Sequence, residues 1–429
     1  SSVCTPTRYG LLTGRYAWRT ELKRSVLWPW DPPLLETERT TLAEMLQAAG
    51  YTTACIGKWH LGWDWPLDEA SSVSEEITSL QWPTQQREAI GARVNWQRPI
   101  SGGPLAHGFA HYFGDDVPNF PPYTWIEDDR VVTTPTVAKP RGMFGHQGPA
   151  APGWDLGSVL PTLNQRAAAW IEAQADRDEP FFLYLSLTAP HTPIAPSPDW
   201  TGKSQAGAYG DFVAQVDGVL ATVVEALERN GLAENTILIF TSDNGSPQRD
   251  GTNMSGPVGA VKERFGHDPS APWRGLKSDA WEGGHRVPFL VRWPGHVPAG
   301  TVQPAPWIHT DLYRTLASLL KLPLGVGQGE DSLDQSRVWM DGPSAAPVRE
   351  TLVHHSGNGL FAIREGRWKL ILGRNSGGFS RWQPPADAPA GQLYDLQADP
   401  QEQHNLYAAS PEIVAQLSAR LDEIRRGKR

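Results

Sequence analysis

A thiol and a guanidinium stand four residues apart in Cys4-Thr5-Pro6-Thr7-Arg8, and Leu12-Thr13-Gly14-Arg15 follows. Pro6 suits the first turn of a helix. Cys4 would then lie at the positive end of the helix dipole and near Arg8, where the thiolate is favoured. That is a setting for a nucleophile. Three further polar groups lie far along the chain: Lys58 and His60 in Gly57-Lys58-Trp59-His60-Leu61-Gly62, His191 in Ala189-Pro190-His191-Thr192-Pro193, and Asp243 with Asn244 in Ser242-Asp243-Asn244-Gly245. Lys58 and His60, two apart in a segment read as extended, project to the same side. Lys277, in Arg274-Gly275-Leu276-Lys277, adds a cation ahead of the turn Trp281-Glu282-Gly283-Gly284. Asp243 and Asn244 are hard oxygen ligands of the kind that Ca²⁺ or Mg²⁺ takes. Two lysines, two histidines and a divalent cation would cradle a tetrahedral oxyanion and the charge that develops as it is transferred.

The elements that must position these groups are read from periodicity. Residues 41–49 put Leu42, Met45, Leu46 and Ala49 on one helical stripe that stops at Gly50, and 52–56 read as a strand. After Pro180 the segment 181–187 (FFLYLSL) is a continuous apolar run, as in a strand buried on both faces. An amphipathic helix is predicted over 208–229, with Phe212, Val216, Val219, Val223 and Leu227 on its stripe and Asn230-Gly231 as its stop. Strands follow over 237–241 and 287–291. Alternation through about the first 320 residues predicts an α/β fold with a large, mostly parallel sheet flanked by helices. Ligands of such sheets bind outside the carboxyl ends of the strands. Three of the predicted strands end at the polar groups above, so those groups would share one rim.

The segment 71–151, rich in Pro, Gly and Trp, is read as a long excursion that builds walls of the site rather than sheet. Beyond about residue 325 the pattern changes to short strands at 360–364 and 368–372 and a closing helix over 411–425, a small antiparallel sheet with a terminal helix. Two domains are expected, 1–325 carrying the chemistry and 326–429 a smaller α+β unit. The formal net charge of −9 argues against a nucleic-acid partner but leaves room for a small anion held by a few placed cations. Two cysteines, Cys4 and Cys55, make neither a disulfide framework nor a Cys-rich zinc site, and Cys55 reads as strand core. No apolar run is long enough to span a bilayer. The 19 Trp serve packing or, around a cleft, sugar stacking.

Cys4-Thr5-Pro6-Thr7-Arg8 with Leu12-Thr13-Gly14-Arg15 resembles the signature of the formylglycine-dependent sulfatases of arylsulfatase type, in the alkaline phosphatase superfamily. Residues 57–62 (GKWHLG), His191-Thr192-Pro193, 242–245 (SDNG) and 281–288 (WEGGHRVP) resemble that family's later motifs in the family's order. So do Pro121-Pro122-Tyr123 and Leu393-Tyr394-Asp395-Leu396. The resemblance spans essentially the whole chain. It implies an alkaline-phosphatase-like fold and hydrolysis of a sulfate ester, on a sulfated carbohydrate or an aryl sulfate. It also implies that a maturation enzyme oxidises Cys4 to formylglycine, whose hydrate attacks sulfur with one hydroxyl and expels sulfate with the other. Arg8 would hold the hydrate and His60 would be the base for release. Lys58 and Lys277 would bind sulfate oxygens, and His191, with Lys277, would assist the leaving oxygen. Asp243, Asn244 and the modified Cys4 would hold Ca²⁺, in preference to Mg²⁺.

The same resemblance implies a periplasmic or secreted protein whose partners are a sulfated small molecule or glycan and the maturation enzyme, with no nucleic acid and no membrane span. The family also carries a strand ending in paired aspartates upstream of the Cys, whereas the sequence given starts at Ser1. Asp115-Asp116 and Asp128-Asp129 lie in the wrong order to replace that pair, so a chain lacking the first strand, with weak calcium binding, is the expectation. Two alternatives stand beside the sulfatase: a phosphonate monoester or phosphodiester hydrolase of the same superfamily, and a catalytically dead binder of sulfated glycans. Asn119 is placed near the anion without a role. His107, His111, His267 and His285 are read as structural or rim residues.

Overall fold

The computed structural model describes residues 1–77, 79–80 and 84–427. Helix α1 (Cys4–Thr13) ends at Gly14 in the left-handed region, φ 64. Helix α2 (Leu42–Ala48) starts at a capping box. Thr41 Oγ1 accepts the Glu44 N–H at 3.1 Å, and the Glu44 carboxylate accepts the Thr41 N–H at 2.7 Å. Both donors would otherwise be orphaned at the helix start.

The central sheet contains β1 (Thr52–Gly57), β2 (His111–Gly114), β3 (Ile126–Glu127), β4 (Arg130–Val131) and β5 (Phe181–Ser186), in the order β4-β3-β2-β1-β5. Parallel pairing joins β1 to β2 and to β5, the latter in register from Thr52↔Phe181 to Gly57↔Ser186. β2, β3 and β4 pair antiparallel. Alternate residues of the parallel strands serve different cores. Cys55, Tyr112, Phe182 and Tyr184 pack with α1 and α2, while Ile56, Phe113, Leu183 and Leu185 pack on α3 (Val159–Glu172). Helix α4 (Gly207–Arg229) ends in Asn230 with Gly231 at φ 69, the stop read from sequence.

Two expectations about sheet are corrected. The excursion 71–151 was expected to avoid the sheet, yet its 111–114 segment is β2, the neighbour of β1. A four-residue run is too short for periodicity to announce it. Positions 78 and 81–83 of the excursion lie outside the described residues. The second correction concerns β6 (Leu238–Thr241) and β7 (Phe289–Arg292), which were expected in the parallel sheet and instead form a separate antiparallel pair. The reason is the path between them. A parallel strand needs a crossover that returns the chain to its starting end. Here the chain leaves β6 at Ser242-Asp243-Asn244, still lies beside that segment at Lys277, whose N–H donates to the Ser246 carbonyl at 2.9 Å, and enters β7 from the same end. β5 and β6 do not pair with each other; a cavity of about 1390 Å³ is lined by both strands and also by Arg8, Lys58, His191, Asp243 and Lys277.

A second sheet follows: β8 (Thr351–His355), β9 (Phe361–Glu365), β10 (Trp368–Ile371) and β11 (Gln392–Asp395), antiparallel throughout. Helix α5 (Pro411–Arg425) covers it, seating Leu417 and Leu421 on Val353, Ile363, Leu370 and Leu393. Each such leucine contributes roughly 2 kcal/mol by burial. Among the described residues no helix is long and apolar enough to cross a membrane.

Candidate active site

α1 opens with Cys4 at its first turn, preceded by extended Val3 (φ −143, ψ 161). Thr5 fixes that turn against the rim by donating from Oγ1 to the His60 carbonyl at 3.0 Å. β1 delivers Lys58 and His60 through Gly57, whose φ is 110; an added Cβ there would stand 2.3 Å from the Ser186 carbonyl oxygen, so only glycine lets the two strand ends approach. Beyond it the Lys58 carbonyl accepts from Ser186 Oγ at 2.6 Å and from Arg8 Nη1 at 2.7 Å. The extended geometry expected for 58–60 is not what the chain adopts. His60 lies in the left-handed region at φ 56, and the Asp116 carboxylate accepts its N–H at 2.9 Å. Both side chains nevertheless arrive at Cys4.

The convergence is tight. Lys277 Nζ lies 3.4 Å from Cys4 Sγ, and Sγ lies 3.4 Å from Asn244 Oδ1. Arg8 grips Asp243 Oδ2 through Nε at 3.2 Å and Nη2 at 3.0 Å. Burial alone would push the Cys4 thiol up; Lys277 and Lys58, helped by the neighbouring His191 and His60, override it and hold the thiol well below its usual range. Burial and then the two lysines press His191 down to about 4, and burial with Lys58 lowers His60. Lys58 Nζ and His60 Nδ1 are buried without a hydrogen-bond partner among the described residues. An orphaned buried ammonium is costly unless an anion is its business. Every residue singled out in the sequence for this chemistry is therefore brought together: Cys4, Arg8, Lys58, His60, His191, Asp243, Asn244 and Lys277.

The histidines set aside behave otherwise. His107 is buried beside Trp59, and His111 Nδ1 pairs with Asp128 at 2.8 Å. His285 belongs to a buried network around Lys369, and His267 is exposed. Asn119 stands between, its Oδ1 buried without a partner and its carbonyl accepting the Tyr123 hydroxyl at 3.0 Å. Cys55 is fully buried, its thiol pushed up to about 12.

Asp243 and Asn244 offer hard oxygens beside Cys4, the right kind of donor for Ca²⁺. Calcium takes about six to eight oxygens, and among the described residues no group of three or more His, Cys, Asp and Glu is placed to hold a metal. The residues present thus fit a divalent cation in type and fall short in number.

Sequence reasoning missed the supports at the ends of β2 and β5. Tyr184 lies against Arg8, Asp116 holds the His60 turn, and Asp115 is buried with neither carboxylate oxygen partnered. The pair Asp115-Asp116 was visible, but not its position beside β1, because β2 itself was not. Burial pushes the Asp115 carboxyl up to about 7, against the pull of Lys58. An acid raised on folding weakens the fold as pH climbs: below about 4 both states are protonated, between about 4 and 7 only the unfolded chain ionises, and above that the loss is complete. Asp115→Asn should therefore raise the melting temperature at pH 8 and leave it nearly unchanged at pH 4, measured by thermal unfolding at both.

The sulfatase family model matches residues 1–322. An N-acetylgalactosamine-6-O-sulfatase of Bacteroides thetaiotaomicron is 33% identical over 99% of this chain and 84% of its own length. Human arylsulfatase A is 31% identical over 97% of this chain and 77% of its own. A solved structure from the glycosaminoglycan metabolism of Bacteroides thetaiotaomicron superposes with a TM-score of 0.78 at 28% identity, covering 99% of this chain and 90% of that one.

Proposed function

The chain belongs to the sulfatase family and is a sulfuric ester hydrolase, and we propose that it works through a formylglycine made from Cys4. The observation that carries this reading is the buried, unpartnered Lys58 ammonium facing the same thiol that Lys277 reaches at 3.4 Å. Two cations converge on one atom position. Cys4 Sγ marks where the reacting oxygens of the matured side chain sit. Formylglycine supplies there a hydrated aldehyde, one hydroxyl to attack sulfur and a second to expel sulfate.

The chain's own residues do the rest. Lys58 and Lys277 hold the sulfate oxygens and stabilise the charge that gathers on them in transfer. His191 or Lys277 delivers a proton to the leaving oxygen; His191 rests neutral, and a bound sulfate ester favours its protonated form. His60 takes the proton whose removal releases sulfate. Arg8, locked between Asp243 and the Lys58 carbonyl, orients position 4. Asp243, Asn244 and position 4 would contact Ca²⁺, which would polarise the attacking group. We assign this chemistry to residues 1–325, with 326–429 as a smaller unit behind the Trp281 turn, and place the protein in a periplasm or outside the cell.

N-acetylgalactosamine 6-sulfate is the first substrate to try, after the name of the bacterial relative. The matured protein should turn over that ester or an aryl sulfate with a higher kcat/KM than the matching phosphate monoester and diester. Preference for a phosphorus ester would sink the reading; no turnover of any would favour a glycan binder.

A further inference from the structure

The loop after α1 reaches the rim beside His60. His60 Nε2 is 3.0 Å from the Leu27 carbonyl, and Thr5 Oγ1 accepts the Leu27 N–H at 3.3 Å. The next residue, Trp28, is 37% exposed. Its indole stacks on Phe120 with centroids 5.7 Å apart and planes at 25°. Phe120 in turn meets the His60 ring edge-on at 5.6 Å, and His146 closes against Trp28 at 5.5 Å and Phe120 at 4.9 Å. A continuous run of rings therefore leads from a site residue to an exposed indole.

The backbone that carries the indole is also held. The Trp28 main-chain N–H donates to Asp31 Oδ2 at 2.7 Å, Asp31 is 2% exposed, and Arg87 pairs with its other oxygen at 3.2 Å. The Arg87 guanidinium stands 5.9 Å from the Trp28 ring centroid. The other strongly exposed indole among the described residues, Trp382, packs edge-on against Trp281 and has no ring contact leading to the site. A fixed, exposed aromatic surface at the mouth of an anion pocket suits the apolar face of a sugar ring, and little freedom is lost when it binds. Order along the run decides which ring: Trp28 lies one aromatic layer beyond Phe120 as seen from His60, on the outer side of the site.

We propose that Trp28, backed by Phe120 and His146, is a stacking subsite for the sugar next to the sulfated one, which makes the substrate a sulfated oligosaccharide. The proposal rests on the sulfatase reading of the Cys4 site. Its test compares N-acetylgalactosamine 6-sulfate with a uronic acid–N-acetylgalactosamine 6-sulfate disaccharide. In Trp28→Ala the disaccharide-to-monosaccharide ratio of kcat/KM should fall roughly tenfold, and Trp28→Phe should restore most of it. Calorimetric binding of the same two sugars, with Cys4→Ala in both backgrounds, reads the subsite without turnover. If the protein hydrolyses neither sugar but Trp28→Ala still weakens the disaccharide selectively in binding, the subsite stands and the hydrolytic reading fails. If Trp28→Ala changes both sugars alike, or neither, the subsite is refuted.

Discussion

Cys4→Ala protein, matured alongside wild type, should retain less than about 10⁻³ of the sulfatase kcat, because covalent catalysts rarely survive loss of the nucleophile. Binding should persist, since Lys58, Lys277 and His191 remain in place around the vacated position. The fold should persist too, because Cys4 contributes polar contacts of only 3.4 Å and its side chain is small. The result to look for is thus a near-total loss of kcat with an intact unfolding transition. Intact mass supplies the companion measurement. Wild-type protein co-expressed with a formylglycine-generating enzyme should be about 18 Da lighter than its sequence, from replacement of CH₂SH by CHO. Cys4→Ala should show no such change. Turnover surviving in that variant would remove Cys4 from the chemistry whatever the motifs suggest.

The geometry around Cys4 makes that outcome specific to position 4 rather than to its neighbours. A chain with a formal net charge of −9 has gathered two lysines, an arginine and two histidines at one buried point. One carboxylate, Asp243, is spent on Arg8. What remains faces Cys4: Lys58 and Lys277 as positive charge, with His60 lowered by burial and Lys58 and His191 lowered by burial and both lysines. The histidines are thereby free to move protons, and the lysines to hold oxygens. Separate environments give similar side chains separate tasks.

How much of this could be read before the fold was known depends on the range of each interaction. α2 was legible because Leu42, Met45, Leu46 and Ala49 recur on one stripe that stops at Gly50, a pattern contained within the segment itself. β5 was legible because five apolar residues follow Pro180 without interruption. Lys58, His60, His191, Asp243 and Asn244 were legible because they follow predicted strands, and strands of an α/β sheet deliver their ends to one rim. β2 was not, since four residues in a Pro- and Trp-rich stretch carry no period. With β2 hidden, Asp115 and Asp116 could not be set beside Lys58 and His60. The antiparallel run of β7 was hidden for a related reason: nothing in residues 289–292 records the direction from which the chain enters them. Contacts of this class are properties of the assembled fold.

Lys369 is the furthest case, and it yields the second large effect. Its ammonium is fully buried between Glu282 and Glu402, 2.8 Å from an oxygen of each, and 3.2 Å from His285 Nε2. Glu282 opens the turn Glu282–His285, and its N–H donates to Glu402 Oε2 at 2.7 Å. Burial pushes both carboxyls up; Lys369 reverses this for Glu282, holding it at about 2, while Glu402, which also faces Glu282, stays raised. Lys369→Met keeps the volume and removes the charge. Two carboxylates would then face each other in a dry interior, a loss of about 3–5 kcal/mol by the usual cost of breaking a buried pair. The pH dependence has a definite sign. Without the lysine both folded carboxyls titrate above the unfolded value, so the deficit is largest at neutral and alkaline pH and shrinks as pH falls towards about 4. Denaturant midpoints for wild type and Lys369→Met at pH 5 and pH 8 should show the wider gap at pH 8. Adding Glu282→Gln and Glu402→Gln to the variant should recover part of the loss, because amides can stay buried and neutral where carboxylates cannot. A gap independent of pH would mean that Lys369 acts through packing of its methylenes and not through its charge.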